Sequence, residues 1–198
     1  MINKTTKIDY RFNKRYFSDI KKEHLSELKN WRNSQRDVLR QEKLLTDADQ
    51  KEWFNRISND DTQAIFAILE PNEKNINKFI GYCGIVNIDY KDFTGEVSFL
   101  VDPDRVNDLF LYRKDFLSAL YVLCCYGFEN LNLRKLYAET YMFREYHIKI
   151  LEEFGFKSGE ILKERKFVNG KYWDSIIHSV LKNEWPKIKK EIEGGLEK

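Results

Sequence analysis

Polar and aromatic residues alternate through residues 1–18, and this period of two predicts a first β-strand. Ser18 then precedes apolar residues that recur at helical spacing from Ile20 to Trp31, so we expect a first helix capped by the serine. Thr46 precedes a second helical pattern, and its short polar side chain suits the first free amides of a helix. The repeating positions of the strand are Ile8, Tyr10, Phe12 and Tyr16.

The rest of the chain alternates short apolar runs with helical patterns. Residues 110–128 are the longest apolar helix candidate, and residues 145–154 predict an amphipathic helix that Gly155 ends. Asn169-Gly170 predicts a tight hairpin turn. Strands are predicted over residues 64–69, 79–89, 96–101 and 136–142, from Phe156 onward and over 176–181, with a last helix over 184–193. This order predicts a mixed sheet with helices on both faces.

Composition is typical of a globular protein. Hydrophobic residues make up 42% of the 198 residues, and 34 basic against 32 acidic residues leave a net charge of +2. Because the two signs are interleaved along the chain, we expect no nucleic-acid partner. Because no apolar stretch is long enough for a membrane span or an export signal, we expect a cytoplasmic protein without a membrane partner. The length predicts one domain over residues 1–198.

The cysteines and histidines show no metal-ligand spacing, so we expect no metal site. Cys83, Cys124 and Cys125 lie in apolar contexts that are typical of buried, reduced thiols, and a nucleophilic Cys124 is the less favoured alternative. His147 and His178 each stand alone near an apolar face, which is typical of structural histidines.

Several short motifs, taken in order, resemble the GNAT N-acetyltransferase superfamily. They are Trp31-Arg32-Asn33, Trp53-Phe54, Gly81-Tyr82-Cys83-Gly84, Gly95-Glu96-Val97-Ser98-Phe99 and Glu153-Phe154-Gly155-Phe156. The tail around Asn169-Gly170 and Asn183-Glu184-Trp185 is similar to the branch that acetylates ribosomal-protein N-termini and nucleotide-linked amino sugars. The resemblance implies an α+β (mixed α/β) GNAT fold, with a mostly antiparallel, splayed sheet of about seven strands and helices on both faces.

The resemblance also implies acetyl-CoA as the co-substrate. In this family the strand corresponding to residues 96–101 splays from the strand corresponding to residues 136–142, and the pantetheine arm inserts between them. The backbone of Phe99, Leu100 and Val101 would then pair with the pantetheine amides, as in the addition of a strand to a sheet edge.

The family's glycine-rich pyrophosphate turn is missing, because no glycine occurs between Gly95 and Gly127. The hypothesis of a retained site assigns the phosphates to Arg105, Arg113 and Lys114, whose charges would replace the lost backbone contacts. The alternative treats these three as solvated residues at a helix start, with a cofactor site that is impaired or takes an acyl-carrier protein.

Amine acetylation needs a base for the amine and a proton donor for the leaving thiolate. The resemblance implies Glu96 as a base acting through water, and a surface carboxylate on an edge strand is the alternative. The family's usual tyrosine acid falls at Leu151, so Tyr146 is the substitute we predict, with Tyr141 also close in sequence. The neighbouring asparagine that contacts the cofactor falls at Arg144.

The first helix forms a wall of the acceptor cleft in this superfamily, which implies substrate contacts by Trp31, Arg32 and Asn33. The leading function is therefore acetyl transfer from acetyl-CoA to a primary amine of a small molecule, for example a nucleotide-linked amino sugar. The alternatives are acetylation of protein N-termini and a degenerate binding module without activity. The sequence leaves open whether the protein forms a homodimer.

Overall fold

The computed structural model describes residues 10–71 and 77–196 of the chain. One sheet contains its eight strands, in the order β1-β2-β3-β4-β5-β6-β8-β7. The strands are β1 Tyr10–Phe12, β2 Arg15–Asp19, β3 Ala64–Pro71, β4 Asn77–Asp89, β5 Thr94–Val101, β6 Lys135–Tyr141, β7 Lys157–Val168 and β8 Lys171–Leu181. The α-helices are α1 Leu25–Ser34, α2 Asp47–Ile57, α3 Pro103–Asn107, α4 Leu109–Cys124, α5 Glu145–Phe154 and α6 Trp185–Leu196.

The predicted mixed fold is confirmed, with one strand more than expected at the start of the chain. Asn13 and Lys14 both adopt positive φ angles, 49° and 58°, and fold the predicted first strand into the β1–β2 hairpin. Ser18 lies inside β2, so the prediction that it caps the first helix is wrong. The chain enters α1 through a 3-10 turn over Lys22–His24 instead. Ile8 lies outside the described residues.

The helix cap, the helix end and the hairpin turn that short local motifs predicted are confirmed. Thr46 and Asp49 form a reciprocal capping box at the start of α2. Gly155 ends α5 with φ of 114°, a conformation that favours glycine. Asn169 and Gly170, with φ of 51° and 81°, make the turn between β7 and β8.

The helices pack on both faces of the sheet, as predicted. On one face, α1 and α2 cover a cluster that includes Leu28, Phe79 and Leu100. On the other face, α4, α5 and α6 cover a larger cluster that runs through Phe116 and Ile150. The three cysteines are buried free thiols, in agreement with their prediction. Among the helices of the described chain, none is long and apolar enough to cross a membrane.

The ladder between β5 and β6 is short, and this shapes the site. Both strands run parallel, and they pair only at Thr94–Glu96 against Lys135–Tyr137. Beyond Glu96, β5 stays paired with β4 up to Val101, while β6 pairs with β8 up to Tyr141. The two strands therefore separate after Glu96, as the predicted splay requires.

Candidate active site

The wedge between β5 and β6 leaves backbone groups of β5 without a partner strand. The carbonyl of Phe93 accepts from Arg134 on the β6 side, and the amide of Asp102 donates to Ile80 of β4. Since backbone groups along a strand alternate in direction, the amides and carbonyls of odd-numbered residues from 97 to 101 face the wedge. Of the predicted trio, Phe99 and Val101 present their backbones there, while the backbone of Leu100 pairs with Tyr82 of β4.

One of these carbonyls is already occupied. The Nε2 of Gln35, at the end of α1, donates to the Val101 carbonyl at 2.8 Å. No local sequence signal predicts this contact, because Gln35 and Val101 are 66 residues apart. It occupies one backbone acceptor at the wide end of the wedge, on the side of α1.

A cavity of about 200 Å³ opens where the strands part. Its lining combines residues of β5 and β6 with the loop after α1 and the start of α5. The ionisable residues in this lining are Arg32, Arg40, Arg144, Glu96, Glu139, Tyr82, Tyr141 and His147. Phe99 and Phe116 line it as well. Charges from five segments, namely α1, the loop after it, β5, β6 and the start of α5, thus converge on one small space.

Glu96 lies at the apex of the wedge and is only 3% exposed, so the alternative of a surface carboxylate does not apply. Its carboxylate forms an ion pair with Arg40 and accepts a hydrogen bond from Asn87 Nδ2 at 2.8 Å. β5 pairs with strands on both sides at this position, which fixes the backbone of Glu96, and the side chains of Arg40 and Asn87 contact its carboxylate. A fixed and buried carboxylate beside a cavity suits a general base acting through water.

Glu139 of β6 is a second carboxylate in the cavity, and sequence reasoning missed it. Arg40 bridges it to Glu96, with an Nη1–Oε2 distance of 3.2 Å. Arg165 and Ser175 also donate to it, at 2.9 and 2.7 Å. Burial raises the pKa of Glu139, but the hydrogen bonds from Arg165 and Ser175 and the arginine charges lower it overall. Glu139 therefore stays ionised at neutral pH.

The three residues that were predicted to contact the substrate from the first helix have different positions in the structure. Trp31 stacks on Phe79 at 5.1 Å between ring centroids, within the core under α1. Asn33 donates to the Leu45 carbonyl and accepts from the Leu45 amide and Gln41, so it shapes the loop after α1. Arg32 lines the cavity.

Arg32 is partly satisfied by the protein. Its Nη1 donates to Gln50 at 3.3 Å, and its guanidinium lies 5.5 Å from the ring of Trp53. Its Nε is buried and finds no hydrogen-bond partner among the described residues. A buried donor without a partner beside a cavity is a feature that a ligand could satisfy.

Arg105, at the start of the helical region, faces the core. It is 7% exposed and pairs with Asp115 at 2.5 Å and with Glu70 at 2.9 Å. Arg15 pairs with the same two carboxylates, so two buried arginines and two carboxylates form a closed network. The geometry points to a structural role for Arg105, because its donors are already engaged.

Arg113 and Lys114 stay near the surface at the first turns of α4. Arg113 forms an ion pair with Glu153 of α5, and both side chains are more than 40% exposed. Lys114 forms no ion pair among the described residues. Burial and the charges of Arg15 and Lys14 lower its pKa. Lys114 is therefore a cation near the start of α4 with which no carboxylate of the described residues forms an ion pair.

A carboxylate caps the helix where the family places phosphate. Asp108 Oδ1 accepts from the Leu111 amide at 3.0 Å at the N-terminus of α4. Phe110, in the first turn, is 73% exposed, and Tyr112 is buried beside Phe99 without lining the cavity. Neither ring lines the cavity.

The start of α5 carries the remaining predicted residues. Tyr146 donates its hydroxyl to the Leu109 carbonyl at 3.0 Å, away from the cavity, whose lining it does not join. Arg144 does line the cavity, and its Nη2 donates to the Tyr112 hydroxyl at 2.9 Å. That hydroxyl lies 2.7 Å from Nδ1 of His147, which also lines the cavity. Sequence spacing could not reveal this pair, because the two residues are 35 positions apart. Leu151, the family's tyrosine position, is fully buried.

Similar structures share this architecture. The spermidine N-acetyltransferase from Vibrio cholerae, solved in complex with CoA and spermine, matches with a TM-score of 0.75 and 20% identity. The match covers 88% of this chain and 99% of that one. Mutant forms of the spermidine/spermine N-acetyltransferase SpeG from the same organism match with a TM-score of 0.74, 19% identity and coverage of 89% and 98%. At these identities the likeness establishes the fold.

No curated protein matches the sequence significantly. The profile of the acetyltransferase (GNAT) domain matches residues 18–177, which is most of the chain. This supports the superfamily that the motifs indicated, but not the particular branch suggested by the tail. The chain belongs to the GNAT acetyltransferases, enzymes that transfer an acetyl group from acetyl-CoA to an amine.

Proposed function

We propose that the protein acetylates a primary amine of a small molecule that carries negative charge, such as a nucleotide-linked amino sugar. The observation that carries this proposal is the cavity at the parting of β5 and β6, with Glu96 at its apex. The reaction follows from membership of the family. We infer the class of acceptor from the charged residues that line this cavity.

The thioester arm is placed in the wedge, along the unpaired backbone of Phe99 and the amide of Val101. The acetyl group then lies near Glu96, at the narrow end where the strands meet. Lys114 and the free amides of the first turn of α4 would meet the phosphates, because helix N-termini attract anions. Arg113 could join by leaving its exposed pair with Glu153, which costs little.

Glu96 is proposed to take a proton from the acceptor amine through a water molecule. Arg40 pairs with the carboxylate and orients it, and the Arg40 side chain is 48% exposed. An arginine that is half exposed and lies on a loop can move aside when an acceptor enters. Arg40 would then regulate access to the base as well as position it.

The charge balance of the cavity favours an anionic acceptor over a polyamine. Three arginines and two glutamates line it, and both glutamates are already paired with Arg40. Arg165 neutralises Glu139 further. A polycation entering here would meet Arg32 and Arg144 with no free carboxylate to balance its charge, whereas a phosphate would find donors.

The cofactor part of the proposal is tested by thermal shift with acetyl-CoA. A ligand at about 100 times its Kd stabilises the folded state by about 2.7 kcal/mol, which is readily measured. Dephospho-CoA lacks the phosphate on the ribose of CoA, so a comparison of the two stabilisations measures the contribution of that phosphate. The absence of stabilisation by acetyl-CoA at millimolar concentration would favour the binding-module alternative, which the aspartate cap at Asp108 also motivates.

The acceptor part is tested by following CoA release with three probes: a UDP-linked amino sugar, spermidine and a short peptide with a free N-terminus. We expect turnover of the first. Arg32→Gln should raise its KM, because the charge and the unpartnered Nε are lost, while Arg36→Gln, on a half-buried residue nearby, is the matched control. Preferred turnover of spermidine would refute the charge argument, and preferred turnover of the peptide would support protein N-terminal acetylation.

A further inference from the structure

The side chains of Tyr112, Arg144 and His147 meet at one side of the cavity. Tyr112 of α4 is 5% exposed, and His147 of α5 is 8% exposed. The tyrosine hydroxyl lies 2.7 Å from His147 Nδ1 and 2.9 Å from Arg144 Nη2. The same Arg144 nitrogen is 3.4 Å from Nδ1.

The donors and acceptors of this cluster have one consistent assignment. Arginine can only donate, so the Tyr112 oxygen accepts from Arg144. The buried hydroxyl proton of Tyr112 has one acceptor among the described residues, which is Nδ1 of His147. A nitrogen that accepts cannot carry a proton in the neutral ring, so the proton of His147 is on Nε2.

The imidazole is held in place and kept neutral. It stacks on Phe116 at 4.1 Å between centroids, with a 16° angle between the planes. Burial, together with the charges of Arg144 and His178, holds its pKa well below the usual value. The titratable or charged groups that face it are Arg144 on its own helix, Tyr112 on α4 and His178 on β8.

The second ring nitrogen is the one left for the cavity. His147 belongs to the cavity lining, and Nδ1 is turned to Tyr112. Within residues 10–71 and 77–196, Nε2 makes no hydrogen bond. An N–H donor in the lining of the cavity is suited to a group that develops negative charge during the reaction.

We propose that His147 is the proton donor to the departing thiolate of CoA, and that Tyr112 and Arg144 are positioning residues which fix its tautomer. This inference rests on the proposed placement of the thioester in the wedge. The amine nitrogen bonds to the acetyl carbon, the C–S bond breaks with its electron pair on sulfur, and the Nε2 proton passes to that sulfur. Nδ1 takes the Tyr112 proton in the same step, and the charge of Arg144 offsets part of the burial that raises the pKa of the Tyr112 hydroxyl.

The proton count closes over the cycle. The amine proton goes to Glu96 through water, and after product release it returns through solvent to the phenolate of Tyr112. His147 thus supplies the proton donor that Leu151 cannot, from about one turn earlier on the same helix α5.

The tautomer is tested without any acceptor. In protein with isotope-labelled histidine, long-range proton–nitrogen NMR distinguishes the two neutral forms of each ring. We expect His147 in the Nε2–H form, and we expect CoA to shift its Nε2 resonance. Tyr112→Phe should lose the strict preference of His147 for the Nε2–H form. Tyr121→Phe removes a hydrogen-bonded hydroxyl from the same helix and should leave that preference intact. Finding the Nδ1–H form in the wild type overturns the proposal.

Turnover of the UDP-linked amino sugar by His147 variants distinguishes a loss of proton donation from a loss of folded protein. His147→Asn keeps an acceptor for Tyr112 but removes Nε2, so kcat should fall by about 100-fold or more with little change in KM for acetyl-CoA. His147→Gln restores an N–H near the Nε2 position without the path to Tyr112, so it should recover a part of kcat. Tyr112→Phe should lower kcat, again at constant KM.

The outcomes distinguish this inference from the proposed function. If CoA does not bind the wild type, the placement of the cofactor fails and the relay fails with it. If CoA binds His147→Asn normally and kcat is unchanged, the relay alone is refuted. A loss of kcat that is matched by weaker CoA binding would also refute it, because it would indicate a packing role.

Discussion

Removing Arg105 should cost far more stability than removing Arg113, although sequence reasoning assigned both to the cofactor phosphates. The Arg105 side chain is 8% exposed, and its guanidinium contacts the carboxylates of Asp115 and Glu70. The Arg113 side chain is 43% exposed and contacts one carboxylate, that of Glu153, whose side chain is 41% exposed. Methionine is the replacement in each case, because it keeps an unbranched apolar stem and removes the charge.

The magnitude follows from what each change leaves behind. Without Arg105, the fully buried carboxylate of Asp115 keeps only Arg15, with an Nε–Oδ1 distance of 2.6 Å. Breaking a buried ion pair costs about 3–5 kcal/mol, and the remaining arginine places the expected loss at about 3 kcal/mol. An exposed pair is worth about 0–1 kcal/mol, so Arg113→Met should lose less than about 1 kcal/mol.

Urea unfolding followed by circular dichroism measures the difference. With a slope of about 2 kcal/mol per molar urea, Arg105→Met should lower the midpoint by about 1.5 M and Arg113→Met by less than about 0.5 M. Both variants are then titrated with CoA under native conditions. Equal midpoints for the two variants, or a loss of CoA affinity confined to Arg105→Met, would refute the structural role of Arg105.

Three further predictions concern the ends of helices and one buried ring. Asp108→Asn keeps the cap but removes a negative charge near the phosphates, so CoA should bind about fivefold more tightly, equivalent to about 1 kcal/mol, by calorimetric titration; unchanged affinity would place the phosphates elsewhere. Gly155→Ala should cost at least about 1 kcal/mol in thermal unfolding, because the residue has φ of 114° and a Cβ would lie 2.8 Å from the Ile188 side chain. His147 has a depressed pKa in the fold, so the unfolded chain takes up its proton first, and the free energy of unfolding falls as pH drops below about 6.5, by up to about 1.4 kcal/mol per unit. His147→Gln should remove this component from urea unfolding measured between pH 5 and 7, with the buried His24 retaining a component of the same sign; an identical pH dependence would contradict the buried neutral ring.

Elements whose signals are local could be predicted from the sequence. The predicted bounds of α5 match the structure at both ends, because an amphipathic pattern begins at Glu145 and Gly155 ends it. The Asn169-Gly170 turn needs positive φ at both positions, which these two residues tolerate. The missed hairpin turn at Asn13 and Lys14 uses positive φ at a lysine, which sequence preference does not indicate.

The candidate site was predicted only where the family resemblance supplied a backbone position. Glu96 and the strand after it are at the wedge because the strand order puts them there. Arg40, Glu139 and His147 carry no local signal, since each matters through a partner 35 to 99 residues away. Charge alone could not separate Arg105 from Lys114, because burial depends on the packing of α3 and α4 against β3.

The loss of the glycine-rich turn and the buried arginine network are two aspects of one change. A phosphate-binding turn needs small residues so that backbone amides can approach the ligand. In this chain α3 and the Asp108 cap occupy the lead into α4, and Asp115 anchors the helix to β2 and to α3 through Arg15 and Arg105. The helix start is thus fixed by ion pairs inside the protein and offers fewer amides to a ligand. The cofactor must then derive more of its affinity from the wedge itself, so truncating the nucleotide of CoA should weaken binding less here than in a relative that retains the glycine turn. Equal losses on comparing CoA with free pantetheine in the two proteins would contradict this explanation.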